Sequence, residues 1–387
     1  MISQRKVCHV IIGLGGGGAE RMLARLVTFQ KRSNSIEPVV ISLTDSGVVG
    51  SLIAQRGVRL VTLGWKGMSG LPVLIYRLVR LITSEQPDIV QTWMYHADLL
   101  GGLAARAVGV RCLIWGIRTT RLPVNAPWST RFARWWCARL SSRLPDAITV
   151  NAVAARDFHG ALGYDRRRMV VIPNGIDVEV APTSANAREA LRRQWGIPVG
   201  ALVVGMVGRD SPDKDPDNFV SAMCKIFSTK TDVVAVMVGK GFTAENNRLY
   251  QIINSTGYRT RFVMVGELTN ASSVMGAFDV FVLPSRTEAF PNVLGEAMAG
   301  GSVCVATDVG DVSSIIGDCG FVVPPANDQA LADWILRVLE KSPAERSELG
   351  VRARRRIKDK FSMDRAAEAF ERLYADTCQM PSPSGFS

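Results

Sequence analysis

Apolar residues in this chain gather into short, nearly continuous runs separated by stretches of helical spacing. In the first half the runs occupy residues 6–12, 39–44, 58–63, 87–93, 147–151 and 169–172. A second series occupies 201–209, 233–238, 261–267, 279–283, 303–307 and 320–323. Runs of this length, bounded by Gly, Pro, Asn and Asp, predict strands covered on both faces. Residues 19–27, 71–83, 328–341 and 362–376 instead place apolar side chains at the period of a helix. Strand alternating with helix predicts a parallel sheet, and such sheets bind ligands at their C-terminal edges. The alternation restarts at residue 201, beyond a small, polar stretch at 181–186 that suits a linker. The 387 residues therefore divide into two α/β domains, 1–180 and 181–361, followed by 362–387: a last amphipathic helix and a Pro/Ser-rich tail expected to fray.

Charge distinguishes the two halves. Residues 1–180 hold 23 Lys and Arg against 11 Asp and Glu, a net of +12; residues 181–387 hold 23 against 24. The excess in the first half points to an anionic partner. The chain has no apolar run of membrane-spanning length, and its first residues run into glycines without a cleavage pattern, so neither a transmembrane helix nor a signal peptide is expected. Seven scattered cysteines without a Cys-x-x-Cys pair predict reduced thiols and no structural zinc.

Four stretches carry candidate chemistry. Gly13-Leu14-Gly15-Gly16-Gly17-Gly18, between a strand and a helix, lets a backbone approach a phosphate closely. It formally fits the dinucleotide fingerprint, although the acid that pattern requires, here Asp45, comes late. Residues 111–143 carry seven arginines, four tryptophans and Phe132, with no acid between Asp98 and Asp146. Arg118, Arg131, Arg134, Trp135 and Trp136 suit a membrane interface. Stacking on single-stranded nucleic acid uses the same residue types, and a basic surface helix with a tryptophan-lined core face is the third reading. Arg209 and Lys214, five apart across a turn-rich loop, would face an anion within an acidic setting of Asp210, Asp213, Asp215 and Asp217. Finally, Pro291 suits the first turn of a helix. The amides of Asn292, Val293 and Leu294 would then form an anion site, bracketed by Glu288 and Glu296.

The setting Ser285-x-x-Glu288-x-Phe290-Pro291-Asn292-Val293-Leu294-x-Glu296-Ala297-Met298-Ala299 resembles the donor-site motif of family 4 retaining glycosyltransferases, which have the GT-B fold. Gly17-Gly18-Ala19-Glu20-Arg21 is similar to that family's first-loop motif, and Pro173-Asn174-Gly175-Ile176-Asp177 to its hinge region. The resemblance implies two Rossmann-like domains facing each other across a cleft, with the last helix crossing back to the first domain. It implies that Glu296 holds the donor's ribose, that Arg209, Lys214 and the amides of 292–294 hold its diphosphate, and that Glu288 and His96 orient its sugar. Gly16, Gly17 and Phe290 complete the donor set. His96 also admits a plainer reading as a capping or core histidine.

The family often has Gly where Asp215 stands and Pro where Phe242 stands. The reaction implied is front-face transfer, in which the leaving phosphate takes the acceptor's proton. No metal, cofactor or protein nucleophile is then expected. The partners implied are a nucleotide sugar, UDP-linked, and a lipid-linked or membrane-proximal glycan in surface polysaccharide assembly. The protein would sit peripherally on the inner face of the cytoplasmic membrane, without nucleic acid. Two other classes remain open: an NAD-dependent oxidoreductase using the glycine loop, and a non-catalytic binder acting through residues 111–143.

Overall fold

The computed structural model describes residues 4–33, 35–123, 125–178, 184–268 and 271–379. The chain forms two compact units: Met1–Gly175 with Met363–Ser387, and Ile176–Ser362. Residues 181–183 of the expected linker and the tail from 380 lie outside the described residues.

The first unit runs β1 (Arg5–Ile11), α1 (Gly18–Ser33), β2 (Ile36–Ser42), α2 (Gly47–Gln55), β3 (Arg59–Thr62), α3 (Leu71–Glu85), β4 (Ile89–Trp93), α4 (Tyr95–Ala107), β5 (Cys112–Ile117), α5 (Trp128–Leu140), β6 (Ala147–Val150), α6 (Val153–Ala161) and β7 (Met169–Val171). Its seven strands are parallel in the order β3-β2-β1-β4-β5-β6-β7. β2 begins earlier than the apolar run suggests and includes Pro38. Proline is tolerated there because β3 pairs only from Val39 onward, so that part of β2 has a single neighbour. β5, which the arginines on either side obscure, is buried at all six positions.

The second unit runs α7 (Ala185–Gln194), β8 (Leu202–Val207), α8 (Pro216–Phe227), β9 (Val233–Val238), α9 (Asn247–Ser255), β10 (Phe262–Gly266), β11 (Val280–Leu283), α10 (Asn292–Ala299), β12 (Val303–Thr307), α11 (Val312–Ile316), β13 (Phe321–Val323), α12 (Asp328–Leu339) and α13 (Pro343–Phe361). Its six parallel strands lie in the order β10-β9-β8-β11-β12-β13. Ser184 caps α7, accepting the Ala187 amide at 3.2 Å, so residues 184–186 begin a helix rather than continue a linker. Arg188 and Arg192 of α7 grip the Asp279 carboxylate, just before β11, at 2.6 and 2.7 Å. The basic stretch 352–360 belongs to the longer α13, which opens with a capping box of Ser342 and Glu345.

The chain then forms α14 (Met363–Gln379), part of the first unit. Phe370 and Tyr374 are buried in that unit's core beside Trp93 and Met22, where each ring contributes about 2–3 kcal/mol of apolar burial. The Tyr374 hydroxyl donates to Gln91 Oε1 and accepts from Gln30 Nε2 at 3.4 Å. Gln30 Oε1 in turn lies 3.0 Å from His9 Nε2. A polar chain therefore ties α14 to β1, α1 and β4.

Candidate functional site

In both sheets the strand order reverses at one point, between β1 and β4 in the first unit and between β8 and β11 in the second. Loops leaving adjacent strands there turn in opposite directions and open a crevice.

In the second unit the β8 loop carries Arg209 and Lys214, and the β11 loop carries Glu288. The Lys214 ammonium lies 2.5 Å from Glu288 Oε1, which also accepts from the Ser285 hydroxyl at 2.7 Å. Both charged side chains are largely buried. The pair is thus a preformed bridge across the crevice rather than two separate ligand groups. Further contacts lock the loops together. The Arg286 amide donates to Asp213 O at 2.8 Å, and its guanidinium pairs with Asp215 Oδ2 at 2.7 Å. The Thr307 hydroxyl donates to Ser285 O at 2.6 Å, and the Asp311 amide donates to Ala289 O at 3.0 Å. Gly310, at φ +59°, lies so close that a Cβ there would come within 2.5 Å of Glu288 O.

Three of the four acids around Arg209 are paired with arginines from elsewhere in the unit. Asp210 and Asp217 pair with Arg248 at 2.5 and 2.9 Å, and Asp215 pairs with Arg286. Asn246 also donates to Asp210 Oδ2, at 2.6 Å. Arg248, Arg286 and Asn246 are missed by sequence reasoning, because their contacts span 31 to 71 residues. Arg209 is left exposed, with no hydrogen bond or ion pair to the described residues. Asp215, where the family often has glycine, sits at φ +47°, ψ +56° as the residue before α8. That left-handed conformation is easiest for glycine and accessible to aspartate.

The α10 end differs from expectation in two respects. Pro291 is the residue before the helix (φ −74°, ψ 99°), which begins at Asn292. The Leu294 amide is already bonded to Pro291 O at 3.1 Å, so only Asn292 and Val293 of the expected triplet stand in the outer first turn. Phe290 is buried, with its ring 5.7 Å from that of Phe361, so its ring packs within the unit. Phe242 likewise fills the core. Glu296 lies in the second turn of α10, half-buried. Among the described residues no group of three or more His, Cys, Asp or Glu is placed to hold a metal.

In the first unit, Gly15 and Gly16 are exposed at the crevice between β1 and β4. A Cβ at Gly15 would meet nothing within 4 Å, and one at Gly16 would only touch Val48. Neither packing nor a positive φ explains glycine at these two positions. At Gly17 a Cβ would collide with the Glu20 carboxylate, which folds back over the loop. Asp45 falls three residues beyond the end of β2, out of register with the dinucleotide fingerprint.

Beside this loop, β4 passes into α4 through Met94, at φ +72°, ψ 157°, a region that a side chain disfavours. Bonds from its amide to Gly116 O (2.8 Å) and from the Asp98 amide to its carbonyl (2.9 Å) hold it there. His96 is thereby set in the first turn of α4, its ring 6.3 Å from that of Trp65. Partial burial lowers its pKa, so the imidazole is neutral near pH 7.

The arginine–tryptophan set separates. Arg118 is buried, with its guanidinium 4.8 Å from the Trp93 ring and 5.3 Å from that of Phe370, and it donates to Ile172 O and Asn174 Oδ1. It is a core group and no part of a membrane surface. Arg134 is half-buried. Arg131, Trp135 and Trp136 are exposed on α5, whose buried side chains are Ala133, Cys137 and Ala138; the core face is not tryptophan-lined.

Residues 187–356 match the family model "Glycosyl transferases group 1", and residues 16–180 match "Glycosyltransferase Family 4". An Escherichia coli UDP-Gal:alpha-D-GlcNAc-diphosphoundecaprenol alpha-1,3-galactosyltransferase is 25% identical over 77% of this chain and 78% of its own length. The lipopolysaccharide core biosynthesis mannosyltransferase LpcC of Rhizobium leguminosarum bv. viciae is 25% identical over 89% and 94%. Among solved structures, Anabaena HepE in complex with UDP and glucose superposes with a TM-score of 0.84 at 22% identity, covering 96% of this chain and 100% of HepE. The two parallel, Rossmann-like sheets are those of the GT-B fold, and the chain belongs to the family 4, group 1 glycosyltransferases.

Proposed function

We propose that this glycosyltransferase moves a hexosyl or N-acetylhexosaminyl group, with retention, from a UDP-linked donor to a lipid-linked glycan. The reaction would take place at the cytoplasmic face of a membrane, in the assembly of a surface polysaccharide. One observation carries the reading: an exposed Arg209, unpaired among the described residues, shares the β8 loop with the Lys214 of a Lys214–Glu288 bridge at the reversal point of the second sheet. Transfer breaks the bond between sugar C1 and a phosphate oxygen, and negative charge grows on the departing diphosphate. Arg209, Lys214 and the first turn of α10 meet that charge, which is electrostatic catalysis by preorganised groups. Lys214 and Ser285 fix the Glu288 carboxylate, which then orients the sugar hydroxyls, while Glu296 takes the ribose. His96, neutral, contributes a hydrogen bond at the sugar.

The departing phosphate accepts the acceptor's proton on the same face, so retention needs neither a protein nucleophile nor a metal. The UDP donor accords with the names of the E. coli relative and of HepE's ligand. The lipid-linked acceptor accords with the diphosphoundecaprenol in the former.

Thermal stability against UDP, GDP, ADP and NAD tests the donor. A ligand at about a hundredfold its dissociation constant adds roughly 2.7 kcal/mol. Stabilisation by UDP is expected; stabilisation by NAD alone would overturn the reading. Glu288→Gln should lower transfer at least about a thousandfold, or roughly 4 kcal/mol, with the circular dichroism unchanged.

A further inference from the structure

Helix α5 is built with its small side chains inward and its large aromatic ones outward. Ala133, Cys137 and Ala138 face the unit. Trp128, Phe132, Trp135 and Trp136 are 67, 51, 48 and 38% exposed. At 100° per residue, Trp128, Phe132, Trp135, Trp136, Arg131 and Arg139 all fall within one arc of about 140°, opposite Cys137. The outer face of a helix on a water-soluble surface ordinarily carries charged and polar residues; this one carries four aromatic rings and two arginines.

The rings support one another. Trp128 and Phe132 meet edge to face at 6.1 Å, Phe132 and Trp136 at 6.2 Å, and Trp135 and Trp136 at 5.0 Å. The Arg139 guanidinium lies 4.6 Å above Trp135. A continuous apolar ridge three turns long is thus already ordered, with cations along it. No carboxylate occurs between Asp98 and Asp146.

We infer that α5 is a membrane-docking helix that lies along the surface of an anionic bilayer, its four rings at headgroup depth and Arg131 and Arg139 on lipid phosphates. Charge selects this occupant. A partner must offer negative charge spread along the whole ridge and an apolar layer directly beneath it, which is the layering of an anionic lipid surface. The cations and amphipathic rings suit that boundary. A bilayer partner accords with the lipid-linked acceptor proposed above, on which this inference rests.

The test uses the full chain with vesicles of phosphatidylcholine alone or with about 30% phosphatidylglycerol. Co-sedimentation with the anionic vesicles at low salt is expected. A blue shift of tryptophan emission, and quenching by brominated acyl chains, should accompany it. Trp135→Ser/Trp136→Ser should weaken binding at least tenfold and abolish the quenching. Arg131→Glu/Arg139→Glu should abolish the preference for anionic vesicles. All four side chains are exposed, so the melting temperature should hold in both variants. Wild-type protein that stays in the supernatant, variants that bind as it does, or a blue shift explained by dimerisation without vesicles would each overturn the inference. UDP stabilisation, measured separately, tells failure of the donor reading from failure of this one.

Discussion

The two units share an architecture and differ in almost everything painted on it. Each is a parallel sheet whose order reverses beside its first strand. The first unit carries 25 Lys and Arg against 13 Asp and Glu; the second carries 21 against 22. All three histidines (9, 96 and 159) are in the first. Of the large hydrophobic residues exposed among the described residues, only Val199 and Val351 lie in the second. At its crevice the second unit pairs Lys214 with Glu288 and leaves Arg209 without a partner among the described residues. The first leaves glycines bare at its crevice and an apolar ridge on its surface. Topology fixes where a ligand can bind; the degree to which loops satisfy themselves decides what chemistry is left over.

The largest effects should separate the held-back cation from the paired one. Arg209→Ala and Lys214→Ala are each expected to lower transfer at least about a hundredfold, roughly 3 kcal/mol. Only Lys214→Ala should also lower the melting temperature of the ligand-free protein, because it leaves Glu288 without its cation at a cost of about 1–3 kcal/mol. An equal loss of stability in Arg209→Ala would break the distinction.

A second contrast is pH dependence. Burial holds His9 and His159 at about 4, below the unfolded value of 6.5. As pH falls from 6.5 towards 4 the unfolded chain takes up protons that the folded one refuses, so stability is lost. Burial raises Asp98 to about 7; its effect has the opposite sign, since the folded state holds the extra proton between pH 3.8 and 7. The histidines outweigh it, and these three groups together should cost the first unit roughly 1–2 kcal/mol between pH 7 and pH 5. Melts that resolve the units, one of them marked by UDP, check this. Equal acid sensitivity in the second unit would remove histidine as the cause.

The smallest effect concerns Asp215. Asp215→Gly relieves the left-handed backbone and loses the Arg286 pair, whereas Asp215→Ala loses the pair and keeps the strain. The glycine variant should be the more stable of the two by about 1 kcal/mol in chemical denaturation.

Much of this was legible in the residues. Periodicity gave the restart of the α/β pattern, and the spacing around Glu288 and Glu296 pointed to one site. What escaped depends on distant partners. Arg118 sits in an arginine-rich run, and partners as distant as Phe370, 252 positions away, make its place a core site. β5 was hidden because cations flank a strand that is itself wholly apolar. The spacing on α5 defines a face but not its direction; Ala133 and Cys137 settle that by being small enough to lie against the unit. The acidic setting around Arg209 is paired by Arg248 from α9 and Arg286 from the β11 loop, partners that the local sequence does not show.

The position of α14 has a consequence for biosynthesis. The first unit's core includes Phe370 and Tyr374, which leave the ribosome only after the whole of the contiguous second unit, Ile176–Ser362. Translation therefore delivers a finished set of contacts to the second unit while the first still waits for its closing helix. The unit that is started earlier of the two completes its folding later, and during that interval the groove α14 will fill is open to chaperones or to another nascent chain.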